Sequence, residues 1–225
     1  MLFPKKVLKH YGLFRSGTNY FEAMVQRNYN VVLDLEQYGW KHGEIENTPP
    51  LDTVLVTKNL YAWLVSLYNY ALSSKRNNFL IPAGISFSDF IRRRYCWIGD
   101  TGFNSEKLVC KADNPVYYWN KMMGHWLSKS LNHIVRYEDL LKDPEKTLRP
   151  LSLRRRNKIL EYPDGNLLPG SAGKGIVNFV SEPTYDKIDY YLKSEYLKEY
   201  AGKDFAFVAY NVQYDLMWKL MYPLL

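Results

Sequence analysis

A chain of 225 residues is long enough to bury a substantial core and reads as a single domain, residues 1–225. At 47% hydrophobic and 24% charged residues it falls outside the disordered and low-complexity classes. A formal net charge of +7 favours anionic partners, among them nucleotides, nucleic acid, acidic glycans and membrane surfaces, without choosing between them.

The 20 tyrosines supply apolar rings with polar tips, suited to half-buried helices and stacking pockets. Cys96 and Cys110 have no metal-ligand spacing and are too few for a disulfide framework, so the expectation is a reducing, cytoplasmic compartment. No stretch reaches 18 apolar residues, and "MLFPKKVLKHYGLF" lacks an apolar core of signal-peptide length. Neither a membrane span nor a leader is expected.

In chain order, "KKVLKHYGLF" (5–14) reads as a strand ending in a Gly-bearing turn. Helical spacing follows from Thr18 through Phe21, Met24 and Val25. "NVVLDLE" (30–36) is a short β-branched strand, and "YGWKHGEIENTPP" (38–50) is a loop. "LDTVLVTKN" (51–59) is an apolar strand running into "LYAWLVSLYNYALSSKR" (60–76), a helix apolar nearly all round. Ser86 with Asp89 forms a capping box for 86–95, and Asn114 with Pro115 opens a helix over 113–130. "NHIVRYEDL" (132–140) is a strand, and Asp143 with Pro144 starts another helix. Residues 154–180, dense in Gly, Pro and basic residues, read as a long surface loop. Two helices, 184–202 and 211–222, close the chain. Strands placed between helices predict a three-layer α/β/α domain with a mainly parallel central sheet and a P-loop-like phosphate-binding turn.

Two stretches carry anion chemistry on their own residues. In "RSGTN" a strand–turn–helix unit offers helix-start amides and the positive end of the helix dipole. Gly17 allows close approach of an anion, Ser16, Thr18 and Asn19 add side-chain donors, and Arg15 adds a forked cation. The ATP-loop pattern G-x-x-x-x-G-K-[ST] is broken, because Thr18 and Asn19 stand where its Lys and Ser/Thr belong. Further on, Lys58 at a strand's carboxyl end and Ser66 in the next helix form a candidate second phosphate site. The plain alternatives are a capped helix with an exposed Arg, and a surface Lys with a helical Ser.

"RYEDL" followed by "KDPE" and "LR" (136–149) resembles the sulfotransferase family, which moves a sulfuryl group from 3′-phosphoadenosine 5′-phosphosulfate (PAPS) to a hydroxyl, leaving PAP. With it, "FRSGTNY" resembles that family's 5′-phosphosulfate loop, and "VTKNLYAWLVSLYNY" its 3′-phosphate segment. The order matches across most of the chain, in the manner of compact bacterial-type members. The resemblance implies that Arg15 contacts the leaving phosphate and transferred group, and that Ser16, Gly17, Thr18 and Asn19 wrap the 5′ end. It implies that Tyr20 and Tyr137 reach the adenine and that Lys58 and Ser66 bind the 3′-phosphate. Members with a catalytic His carry it just before the 3′-phosphate strand, which points to His42 as base, with Glu44 and Glu46 as rivals and Lys41 as a helper. Lys174 and Gly175 are the nearest substitute for a further phosphate-binding segment. No metal is expected. The acceptor is a hydroxyl compound, small molecule or glycan, bound by loops 77–112 and 154–180, where Phe79, Phe87, Trp97, Phe103 and Phe179 either shape an apolar or sugar-stacking site or belong to the core.

Three positions depart from the family pattern: Lys58 for Arg, Leu60 for Pro and Asn19 for Thr or Ser. Lys at 58 gives a point charge in place of a bidentate fork. The clusters Arg92–Arg94 and Arg154–Arg156 read as solvated faces, and nucleic acid is disfavoured because no repeated basic–aromatic platform accompanies them. The alternatives are an atypical nucleotide-dependent phosphotransferase and a non-catalytic PAP- or anion-binding relative.

Overall fold

The computed structural model describes residues 5–34, 37–45, 47, 51–73, 81–100, 106–129, 131–164, 178–184 and 187–225, with side chains excepted over 97–110. The elements run β1 (Lys6–Tyr11), α1 (Thr18–Asn28), β2 (Val31–Asp34), β3 (Asp52–Thr57), α2 (Leu60–Ser73), α3 (Phe87–Arg92), β4 (Tyr95–Asp100), β5 (Glu106–Ala112), α4 (Pro115–Ser128), β6 (His133–Arg136), α5 (Tyr137–Lys142), α6 (Pro144–Leu148), β7 (Tyr162–Pro163), β8 (Phe179–Val180), α7 (Ile188–Leu192), α8 (Gly202–Asn211) and α9 (Tyr214–Lys219), with short 3₁₀ turns at Arg149–Leu151 and Glu195–Glu199. The chain divides into two compact units, residues 1–59 with 125–195, and residues 60–124 with 196–225.

The first unit holds a four-stranded, fully parallel sheet in the order β2-β1-β3-β6. This is the expected α/β arrangement, and it is compatible with three layers. Central strand β3 is buried from Thr53 to Thr57 around the apolar run Val54–Val56, and β1 is buried from Leu8 to Tyr11, with Lys9 and His10 as buried polar residues. Edge strands β2 and β6 alternate, leaving Val32 and Ile134 exposed. From β1 the chain crosses through α1 to β2 on one side, while β3 lies on the other side of β1. The carboxyl ends of β1 and β3 therefore flank a topological switch point, where open α/β sheets bind ligands.

The second unit is built on α2, whose buried residues run from Leu60 to Leu67 without a polar stripe. Tyr68 packs edge-on against Phe87 of α3, and Tyr200 stacks on Phe205 while donating to the Tyr61 carbonyl (2.9 Å). Asn120 of α4 bridges the α8–α9 turn, donating to Asn211 O (2.7 Å) and accepting from Gln213 N (3.1 Å). The expected caps are present: Ser86 accepts from Asp89 N, Asn114 from Tyr117 N, and Asp143 from Lys146 N.

Several expectations are corrected. Residues within the 77–112 stretch read as loop form an antiparallel ribbon, β4 with β5, while Phe87 takes the core reading of the two its residue type left open. Cys96 is disulfide-bonded and stands in register with Cys110, the chain's other cysteine. The expectation of a reducing compartment thereby loses the observation it rested on. The helix expected over 184–202 breaks at Ser194, whose φ of 56° lies in the left-handed region. A separate helix, α8, then starts where the Asp204 carboxylate accepts from Ala201 N (3.0 Å). Within the 154–180 loop, β7 and β8 pair as two-residue strands. Phe79 and Phe103 lie outside the described residues, as does the Trp97 side chain.

Candidate functional site

The turn after β1 is shaped by two glycines. A Cβ on Gly12 would sit 2.4 Å from the Val56 carbonyl oxygen and 2.7 Å from Ser16 Oγ, so only glycine lets the turn lie this close to β3. Ser16 N donates to Leu13 O (3.0 Å), closing the turn, and Arg15 sits in it at φ 68°. An arginine in the left-handed region stores about 1 kcal/mol or more, a cost that functional loops tolerate. Gly17, at φ 94°, is the N-cap of α1, and a Cβ there would fall 2.2 Å from Tyr137 Cδ2.

Two features make this helix start suitable for an anion. Gly17 has no capping side chain, and the first turn contains no acidic residue. Beside it, Ser16 Oγ is buried, at 1% residue exposure, with no hydrogen-bond partner among the described residues. A buried hydroxyl left unsatisfied costs free energy that a bound anion would recover.

Lys58 follows β3 directly and is 4% exposed. Its ammonium lies 4.2 Å from the Tyr137 ring centroid and 4.3 Å from that of Tyr191, and donates to Tyr191 Oη (3.2 Å). Among the described residues no carboxylate forms an ion pair with it. Burial pulls its pKa below the ordinary lysine value; Tyr191 and Glu138 oppose the shift, and the nearby Arg15 charge reinforces it. Tyr137, at the first position of α5, meets Tyr20 and Tyr191 edge-on with centroids 5.9 and 5.2 Å away. The cations Arg15 and Lys58, the α1 start and the Tyr20–Tyr137–Tyr191 cluster thus gather at the switch point.

The loop carrying His42 is fastened to β1. Gly12 N donates to Lys41 O (2.9 Å), and His42 Nδ1 donates to Gly12 O (2.5 Å). Lys9 Nζ reaches Gly39 O (2.7 Å) and Tyr11 Oη reaches Tyr38 O (2.9 Å). Trp126 Nε1 donates to Gly43 O, and His125 Nε2 accepts from Ile45 N (2.8 Å), which gives His125 a structural role. The His42 ring stacks on Phe14 (4.3 Å, 22°) and meets Trp40 edge-on (5.0 Å). Its bond to a carbonyl fixes the Nδ1–H tautomer and keeps Nε2 as the acceptor. Burial pulls its pKa down to about 3, so the ring is neutral at pH 7.

Comparison of the chain with family models, with curated proteins and with solved structures gives no match.

Lys41 is held by Glu22 Oε1 (2.5 Å) and Asn19 Oδ1 (2.8 Å). That ties the loop to the first turn of α1 and makes Lys41 a structural clamp on Asn19. Glu22 is itself buried, 2.7 Å from His10 Nε2. Burial works against its charge, but His10 and Lys41 hold its pKa below the ordinary Glu value. His10, fully buried, has its pKa lowered and completes the group as a neutral ring.

Of the residues singled out in the sequence, Arg15, Ser16, Gly17, Thr18, Asn19, Tyr20, Lys41, His42, Lys58 and Tyr137 all lie in the first unit around the turn and the strand ends. Ser66 is buried in α2 of the second unit. Lys174, Gly175 and Glu46 lie outside the described residues. Sequence reasoning missed Tyr191, which sits more than a hundred residues from Lys58, and Glu22, whose only signal is a charged residue on the buried side of an apolar helix. A carboxylate at such a position must be paired, and that is the clue by which it was findable.

Proposed function

We propose that this chain is a PAPS-dependent sulfotransferase acting on a hydroxyl acceptor. The observation that carries the reading is the pairing of an uncapped helix start and orphaned Ser16 Oγ with Lys58, a buried ammonium that forms no ion pair with a carboxylate among the described residues. An anion with two negatively charged ends suits the two halves of that arrangement. On this reading Arg15, Ser16, Gly17, Thr18 and Asn19 hold the 5′ phosphosulfate and Lys58 holds the 3′-phosphate. Tyr20 and Tyr137 offer ring surface to the adenine. PAPS supplies the activated sulfuryl group when bound.

The chain's own residues then have three tasks. The turn fixes one end of the nucleotide, Lys58 fixes the other, and His42 offers Nε2 to the acceptor hydroxyl. A base with a pKa of about 3 is weak, so the proposal requires anionic charge beside the ring to raise it. That same low value favours one alternative, a PAP-binding relative without turnover. Glu44 remains the next candidate base.

Calorimetric titration of PAP, with and without Mg²⁺ and alongside ATP, tests the reading. Metal-independent PAP binding with weaker ATP binding supports it. Preference for Mg·ATP would replace it with a phosphotransferase, and PAP binding without any transfer from labelled PAPS would favour the non-catalytic relative.

A further inference from the structure

Helix α9 is apolar on two faces. Leu216 and Met217, with Leu220 just beyond, are buried at 3% exposure or less and anchor it in the second unit. On the outer side Tyr214 and Trp218 stand four residues apart, 52% and 81% exposed, and Met221, just past the helix end at φ 55°, is 69% exposed. Tyr214 Oη donates to Ala209 O (2.7 Å), which ties its ring to the last turn of α8, the turn that carries Tyr210, itself 88% exposed. Leu224 and Leu225, which follow in the chain, are each about half exposed, with the Leu225 carbonyl accepting from Tyr61 Oη. Large apolar side chains this exposed mark an interaction surface, so this outer face lacks a cover.

We infer that the Tyr210–Tyr214–Trp218–Met221 stripe is an isologous interface between two copies of this chain. Area is the first argument. The three rings leave uncovered most of the about 150–250 Å² that each can bury, and with Met221, Leu224 and Leu225 the stripe approaches the roughly 800 Å² per partner of a standard interface. Composition is the second, since Tyr, Trp and Met are the residues enriched at the centres of protein interfaces. Charge is the third. Between Gly202 and Lys219 the charged residues are Lys203, Asp204, Asp215 and Lys219, which balance, and Asp204 and Lys219 are already paired with Arg92 and Asp215. A helix that lies on an anionic membrane needs a surplus of Lys and Arg on its polar side, and none is present here. The inference rests on these helices alone and is independent of the proposed function.

The test is sedimentation equilibrium of the 225-residue chain over about 1–100 μM, with the Trp218→Glu and Tyr210→Glu variants beside it. Both positions are exposed, so the variants are expected to fold, with the circular dichroism spectrum of the wild type. The wild type is expected to sediment as a dimer. Either variant places two like charges across the two-fold axis and is expected to weaken association by at least about 100-fold. A wild type that stays monomeric throughout overturns the inference, as does a dimer indifferent to both substitutions. A monomer that binds vesicles of phosphatidylcholine and phosphatidylserine through Trp218 also overturns it and assigns the stripe to a membrane surface.

Discussion

Replacing Gly17 by alanine tests the geometry of the anion turn. Two costs are separable in the structure. Alanine at φ 94° sits in a region that L-residues avoid, a cost of about 1–2 kcal/mol. The added Cβ would lie 2.2 Å from Tyr137 Cδ2, so the ring must move by more than an ångström, at about 1–3 kcal/mol for overpacking. Gly39 provides an internal control, because it has φ 80° but open space around its Cβ position. Gly39→Ala is therefore expected to lose only the backbone part, about 1–2 kcal/mol, and Gly17→Ala about 2–5 kcal/mol. Urea unfolding followed by circular dichroism measures both. Displacing Tyr137 also removes one wall around Lys58, so PAP binding should fall in Gly17→Ala and stay unchanged in Gly39→Ala. Equal stability losses at the two positions would refute the claim that Gly17 is fixed by contact with Tyr137.

The remaining predictions address the charges. Lys58→Ala should weaken PAP by about 10–100-fold, the scale of a charge-assisted hydrogen bond, and adenosine 5′-phosphosulfate much less; equal losses for both would contradict a 3′-phosphate role. His42→Ala should lower turnover by about 100-fold with PAP affinity near wild type, and normal turnover would move attention to Glu44. For pH dependence, the folded His42 pKa of about 3 lies below its ordinary 6.5, so between these values the unfolded chain binds a proton that the native chain refuses. Stability should therefore fall by a few kcal/mol as pH drops from 6.5 towards 3, and this contribution should vanish in His42→Gln. Glu22→Gln leaves Lys41 without its buried counter-charge and should cost about 3 kcal/mol at pH 7. Because the Glu22 pKa is lowered in the fold, the wild-type advantage should shrink as pH falls below 4.5, and a difference that does not change with pH would place its origin elsewhere.

What was legible in the sequence was local. The strand–turn–helix at 11–26 announced itself by a glycine before a periodic apolar face, and three helix starts by side chains that cap amides two or three residues on. The parallel sheet followed from strands placed between helices. The misses share a different cause. The β4–β5 ribbon pairs two segments separated in sequence, and the spacing of fourteen between Cys96 and Cys110 gave no advance signal that they stand in register. The break at Ser194 interrupts a sequence whose Tyr and Leu spacing fits a continuous helix. Tyr191 joins the site only because α7 returns to α5, and Lys41, expected to assist transfer, is engaged by Glu22 from another element. Contacts between elements distant in sequence decided Tyr191 and Lys41, and single-sequence periodicity carries no record of them.

The most direct test of the central claim is an amide shift map of the ¹⁵N-labelled chain titrated with PAP. The account predicts saturable, Mg²⁺-independent shifts concentrated at Arg15 to Tyr20, Lys58, Tyr137 and Tyr191, with the set abolished or strongly weakened in Lys58→Ala. No saturable shift, or shifts confined to residues away from the β1 turn and Lys58, would contradict it.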